Sequence, residues 1–266
     1  MALPIRDSLS TRRFPWVTVV LIAINVIVFL FIQPSAFQNP PNQKHYDAAE
    51  AQRGIDGTVY SLRWGAIPCE LLSGQRAADH PSSCQKDPGE PFPTDKVVYV
   101  TLLTAMFLHG SVLHIAGNML FLWVFGNNVE DRLGRARYLA LYLAGGMAAT
   151  MGFATVHPHA TVPLIGASGA IAAAMGAYLA LFPRGRILTA VATAAFQVVY
   201  IPAAIVLMLF FVTQFLTPDA NVAWEAHVAG MVAGFIAALV LRRLPSVRRR
   251  EQEETFDLSV RGGVAF

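Results

Sequence analysis

A serine set among small residues, Gly166-Ala167-Ser168-Gly169-Ala170, opens an apolar run that ends at Pro183. Alone, such a serine is either a helix-packing position or a nucleophile that needs a base from another segment. Candidate bases are few. The informative polar side chains inside apolar stretches, besides Ser168, are Asn25, His109, His114, Asn118, Gln197, Gln214 and His227. Such groups are costly to bury in lipid and by default mark function. An imidazole hydrogen-bonded to a serine hydroxyl can take its proton and later return it to a leaving amine. His227 is therefore the candidate base for Ser168. His114 and Asn118 lie four residues apart on one helix face. They can aim donors at an oxyanion, joined by the Ser168 backbone N–H.

These side chains need helices to carry them. Of 266 residues, 55% are hydrophobic and 14% charged, which suits a polytopic membrane protein better than a soluble domain. The first apolar run, 14–32, lacks a small-residue cleavage site after it and reads as a retained span. Polar stretch 33–96 is the one region large enough for an extramembrane subdomain. Run 97–125 is too long for one perpendicular span. Gly110 interrupts it and Ser111 can cap a new helix, which places the second span at 111–129 and leaves 97–108 as an interfacial lead. Further spans are expected at 137–156, 164–182, 201–216 and 222–241, with 187–200 as an apolar approach at the interface. The expected fold class is an all-α polytopic membrane protein of six transmembrane helices. Its parts are an N-terminal segment 1–13, the first helix 14–32, an extracytoplasmic loop 33–96, a core 97–241 and a tail 242–266.

Loop charges orient the chain. Arg6, Arg12 and Arg13 precede the first span, Arg132, Arg135 and Arg137 follow the second, Arg184 and Arg186 the fourth, and Arg242, Arg243 and Arg248 to Arg250 the sixth. Loops 157–163 and 217–221 hold no Lys or Arg. This pattern predicts cytoplasmic termini in a plasma membrane. Basic residues spread over short loops do not form a nucleic-acid footprint. Cys69 and Cys84 fall in the outer loop, where oxidising conditions would let them form a disulfide; the alternative is two free thiols.

Depth brings the polar groups together. Counted inward from the outer ends of their spans, Ser168 lies about four residues in, His227 about five, His114 about one turn and Asn118 about two. His227, Gly230 and Gly234 share a face of the sixth helix, and Ser168 and Ala172 share a face of the fourth. Small residues on both faces allow close approach. No acidic residue sits at this level except Glu225, read as solvated at its helix start, so the expectation is a dyad rather than a triad. His157 and His159 read as solvated loop residues, and Gln214 as a bond across helices.

The residues His109-Gly-Ser-Val-Leu-His114-Ile-Ala-Gly-Asn118, Gly126-Asn-Asn-Val-Glu130, Gly166-Ala-Ser168-Gly169 and Ala226-His227-Val-Ala-Gly230-Met-Val-Ala-Gly234, in this order on separate spans, resemble a rhomboid intramembrane serine protease of the basic six-span prokaryotic type. The resemblance implies Ser168 as nucleophile and His227 as base. It implies oxyanion stabilisation by His114, Asn118 and the backbone around Ser168, with His109, Gly166, Gly169, Gly230 and Gly234 in supporting positions. It implies single-span membrane proteins as substrates, cut near the extracytoplasmic face within the lipid bilayer. It calls for no cofactor and no metal, and the chain has no His-Glu-x-x-His. A Trp-Arg pair that some members carry before the second span is missing near Val100-Thr101. A non-catalytic rhomboid-like binder of membrane helices is the alternative, although such a protein would typically lack Ser168 or His227. A proton-coupled transporter would more often show acidic residues at mid-depth and a repeated half.

Overall fold

The computed structural model describes residues 2–9, 11–37, 48–79, 84, 92–192, 196–216 and 223–260. Parts of the predicted 33–96 loop and the 217–221 loop therefore lie outside the described residues. The chain begins with strand β1 (Ala2–Asp7) and then helix α1 (Trp16–Ile27), which runs on as a π-helical turn, Val28–Ile32. Two helices of the outer subdomain follow, α2 (Ala48–Trp64) and α3 (Pro68–Ser73). A short α4 (Thr101–Thr104), flanked by 3-10 turns, leads to α5 (Val112–Phe121). A π-helical turn then joins α5 to α6 (Asn127–Leu133).

The bundle continues with α7 (Arg135–Val156) and α8 (Ser168–Leu181). Strands β2 (Arg186–Ala192) and β3 (Phe196–Pro202) precede α9 (Ala203–Leu216), α10 (Trp224–Leu241) and α11 (Pro245–Val260). Among the described residues, three helical stretches are long and apolar enough to cross a membrane, Val112–Leu133, Arg135–Val156 and Trp224–Leu241. Trp16–Ile32, Ser168–Leu181 and Ala203–Gln214 are shorter apolar helices.

Several boundaries have clear local causes. Ser111 is extended and its hydroxyl accepts from the His114 N–H, so α5 starts where a side chain satisfies one of its orphan donors. The start of α1 is capped from a distance. The Glu130 carboxylate accepts from the backbone N–H groups of Val17 and Thr18 and from the Thr18 hydroxyl. A carboxylate there also complements the helix dipole. The Glu130 of the 126–130 motif thus locks the first span to the end of the second.

The helical class holds, with one addition. Within 187–200, expected as an interfacial approach, residues 187–192 and 196–200 belong to two antiparallel strands. β1, β2 and β3 make an antiparallel sheet in that order, with Ile187 opposite both Asp7 and Ile201. Ile187, Thr189, Val191, Val198, Val199 and Ile201 supply the β-branched residues that fit a pleated surface. The tail, read as merely charged, carries helix α11.

At the centre α8 is buried almost throughout, between α7 and α10. A Cβ on Gly230 would collide with the Gly169 carbonyl, and one on Gly234 with the Ala173 carbonyl. Small residues on two helices thus let backbone meet backbone. Outside the bundle, a small core of Leu62, Ile67, Cys69, Ala77, Cys84 and Phe92 holds the loop between the first two spans together. Cys69 and Cys84 form a disulfide.

Candidate active site

Ser168 sits at the first residue of α8, not one turn inside it. The expected helix start near Leu164 fails because Gly166 has φ +127°, a left-handed conformation that ends any helical path. Its N–H donates instead to the Ala105 carbonyl. The turn delivers the Ser168 side chain to a cavity of about 310 Å³. Leu113, His114, Asn118, Gly166, Gln214 and His227 line that cavity with it, so the predicted polar set faces one space.

His227, on the first turns of α10, places Nε2 2.8 Å from Ser168 Oγ. Its Nδ1 lies 2.6 Å from Gln214 Oε1 on α9. The amide is oriented by its other end, because Gln214 Nε2 donates to the Phe210 carbonyl at 3.3 Å. Oε1 is an acceptor only, so Nδ1 carries the imidazole proton and Nε2 is left to accept from the serine hydroxyl. This network assigns the tautomer. The Phe210 ring packs 6.0 Å from the imidazole.

A second imidazole completes the opposite wall. The Gly110 N–H donates to His114 Nδ1, which leaves the proton on Nε2. A Cβ built on Gly166 would stand 3.0 Å from His114 Nε2 and 3.6 Å from Ser168 Oγ, so both groups flank one small space. Asn118 Nδ2 is buried and has no hydrogen-bond partner among the described residues. An unmet buried donor beside a nucleophile is the arrangement an oxyanion site requires. His109 does not line this cavity. It is fully buried, meets His114 edge to face at 5.2 Å, and exchanges two backbone hydrogen bonds with the Gln33 amide. Its position supports His114 from behind.

Two readings change. Glu225 and His157 are not simply solvated: His157 Nε2 lies 3.0 Å from Glu225 Oε1, which ties the end of α7 to the start of α10. Gln214, expected only as a bond across helices, is the partner of the candidate base. The signal for it was an amide placed near the outer end of an otherwise apolar helix, at the level of His227. Gly169, Gly230 and Gly234 act in packing α8 against α10, as described above. No group of three or more His, Cys, Asp or Glu able to hold a metal occurs among the described residues.

The outer subdomain reaches the same loop. Ala66 and Leu164 exchange two backbone hydrogen bonds, and the Cys69 N–H donates to the Ala160 carbonyl. Lys96, buried, pairs with Glu70 at 2.6 Å and donates to the carbonyls of Leu62 and Gly65. Burial holds the Lys96 ammonium below its ordinary pKa, an effect that Glu70 opposes.

Comparison with known proteins points to a family. A family model described as a rhomboid domain matches residues 97–244. Rhomboid protease GluP of Bacillus subtilis (strain 168) is 33% identical over 142 residues, 53% of this chain and 25% of that protein. The mitochondrial presenilin-associated rhomboid-like protein of Bos taurus is 36% identical over 98 residues, 36% of this chain and 26% of that one. Rhomboid protein 1, mitochondrial, of Saccharomyces cerevisiae is 33% identical over 94 residues, 34% and 27% of the two chains. Each alignment thus spans about a quarter of the relative's own length. The match over 97–244 includes every member of the Ser168 cavity named above, and on that ground the chain is a membrane protein that belongs to the rhomboid family.

Proposed function

We propose that this protein is an intramembrane serine endopeptidase that cuts the transmembrane segment of single-span membrane proteins by a Ser168–His227 dyad. The observation that carries the reading is the 2.8 Å contact between His227 Nε2 and Ser168 Oγ, with the other imidazole nitrogen held by Gln214. Ser168 Oγ attacks the scissile carbonyl carbon as Nε2 takes the hydroxyl proton. His114 Nε2–H and Asn118 Nδ2–H receive the developing oxyanion. Collapse breaks the C–N bond and the imidazolium gives its proton to the leaving amine. A water deprotonated by Nε2 then releases the acyl group from Ser168.

The site lies at the outer end of α8, near the subdomain that holds the disulfide. A disulfide favours an oxidising compartment, and arginines gather at the other end of the bundle, so both features support an extracytoplasmic active site and cytoplasmic termini. Relatives in both Bacillus subtilis and mitochondria leave the choice of membrane to experiment. Helix α9, with Ile205, Met208 and Val212 exposed, is the candidate lateral gate for a substrate helix arriving from lipid.

Labelling with a fluorophosphonate tests the reading. The parent protein should label, and Ser168→Ala should lose both the label and cleavage of a reconstituted single-span substrate. Equal labelling of the two proteins ends the protease reading and leaves that of a binder of membrane helices.

A further inference from the structure

A second site lies at the end of the bundle opposite Ser168. Two adjoining cavities, of about 160 and 360 Å³, share Arg13, Asp131 and Arg250 in their walls. Arg12 and Arg132 complete the first and Arg135 the second. The guanidinium groups come from three separate parts of the chain: the segment before α1 (Arg12, Arg13), the junction of α6 and α7 (Arg132 in the last turn of α6, Arg135 at the start of α7) and α11 (Arg250). A fold seldom gathers like charges from distant segments around a hollow without an anion to hold them, because their mutual repulsion is otherwise uncompensated.

The nearby carboxylates offset only part of this charge. Glu130 already accepts three hydrogen bonds at the start of α1. Asp131 accepts from the Arg12 backbone N–H. Glu253 is divided between Arg12 at 3.7 Å and Arg249 at 3.1 Å, and Glu251 stands 3.4 Å from Arg132. Five arginines thus face three carboxylates in the walls of the two cavities. Arg13 and Arg135 are exposed and make no ion pair among the described residues.

Other features keep the guanidinium groups in place. Arg132 is buried, with its guanidinium 4.5 Å from the centre of the Phe182 ring. Arg250 Nη1 donates to the Asp131 carbonyl. Gly134, at φ +85°, leaves the space Arg250 fills, since a Cβ there would stand 2.9 Å from Nη1. Burial first, and then the charge of Arg13, hold the Arg250 guanidinium below its ordinary pKa, and Arg137 adds to this against Asp131 and Glu253.

The larger cavity also has an apolar wall. Phe14 and Pro15 line it, and the exposed rings of Phe14 and Trp16 lie 4.7 Å apart, tilted by 60°, at the start of α1. Aromatic rings beside arginines at a span end describe the level of lipid headgroups. Planar guanidinium forks match phosphate oxygens.

We infer that Arg13, Arg135 and Arg250, with Arg12 and Arg132 behind them, bind the phosphate of an anionic phospholipid headgroup at the membrane face opposite Ser168. The phosphate sits among the arginines while Phe14 and Pro15 lie against the start of the acyl chains. Zwitterionic headgroups are disfavoured because they add an ammonium to an already cationic pocket.

Native mass spectrometry of the full chain, released from a neutral detergent, tests this. Short-chain phosphatidylglycerol, phosphatidylcholine and inorganic phosphate are titrated separately. Phosphatidylglycerol should give a saturable one-to-one adduct, with phosphatidylcholine and inorganic phosphate each bound roughly tenfold more weakly or less. Arg13→Gln with Arg135→Gln should weaken the phosphatidylglycerol adduct by roughly tenfold. Both side chains are exposed and make no ion pair among the described residues, so this variant is expected to keep its fold. Arg248→Gln, exposed on α11 and outside the cavities, should bind as the parent does. Equal binding of phosphatidylcholine, or a double variant that binds like the parent, overturns the site. Inorganic phosphate binding as tightly as the lipid overturns the assignment to lipid.

Discussion

At the scale of single residues, the side chain that most changes the chemistry is Gln214. A neutral imidazole can offer either nitrogen, and only one tautomer leaves Nε2 free to take a proton from Ser168. Asp or Glu commonly sets this choice in serine hydrolases by accepting from Nδ1–H. Here an amide oxygen does so without adding a charge to an apolar site. Gln214→Leu should therefore lower kcat by roughly 10- to 100-fold, a part of the roughly 10²- to 10⁴-fold that a positioned general base contributes, with little change in KM. Gln214→Glu keeps an acceptor and should retain more activity than Gln214→Leu. The pair measured on one reconstituted substrate separates a positioning role from simple packing, since a packing role would leave the two variants alike. The sequence made Ser168, His227, His114 and Asn118 legible because each follows from helix periodicity and a common depth. It did not reveal the role of Gln214, because depth puts the amide at the level of His227 while the rotation of α9 against α10, which decides whether the two meet, is set by packing. It also misplaced the start of α8, because a single positive φ at Gly166 moves Ser168 from one turn inside the helix to its first residue.

At the scale of elements, the sheet fixes the non-catalytic end of the bundle, and Asp7 is its fastening. The carboxylate accepts from the Tyr178 hydroxyl of α8 and the Asn128 amide of α6, and its other oxygen accepts from the Leu9 N–H. It thereby joins β1 to both helices. Burial raises the Asp7 pKa to about 6 from 3.8, against the lowering effect of hydrogen bonds from Leu9, Tyr178 and Ser8. The folded chain therefore holds this proton more tightly than the unfolded chain does. The resulting stabilisation is fully present below about pH 4 and is lost as pH rises through about 6. Lowering pH from 7 to 5 should stabilise the parent by ~1 kcal/mol more than Asp7→Asn. Thermal unfolding of the two proteins across that range checks this, and parallel profiles would show that Asp7 titrates normally. The pair of strands β2 and β3 was hidden from a hydropathy reading because a β-branched apolar run resembles a membrane approach. It took a partner strand from the other end of the chain, β1, to make it a sheet.

At the scale of the whole molecule, the subdomain between α1 and α4 and the loop that leads into Ser168 form one mechanical unit. The Ala66–Leu164 bridge sits two residues before Gly166, and the Cys69 N–H holds Ala160 in the same loop. Lys96 gathers the carbonyls of Leu62 and Gly65 immediately before Ala66. Cys69–Cys84 closes the small core that keeps these contacts in place. A bridge closing a loop of this length is worth ~3 kcal/mol by chain entropy. Cys69→Ser with Cys84→Ser should thus loosen the subdomain while the bundle, which shares none of that core, stays folded. If the subdomain holds Gly166 and Ser168 in attacking geometry, kcat on a membrane substrate should fall several-fold in the double variant. Fluorophosphonate labelling, which needs the nucleophile more than a well-placed peptide, should fall less. Unchanged turnover would mean that α7, α8 and α10 alone hold the nucleophile, and that the bonds from Ala66 and Cys69 follow the loop rather than shape it. That comparison also bears on how the small residues of α8 work. They bring α10 close enough for His227 to reach Ser168, but the turn that aims the hydroxyl lies outside the helix, where the subdomain has its grip.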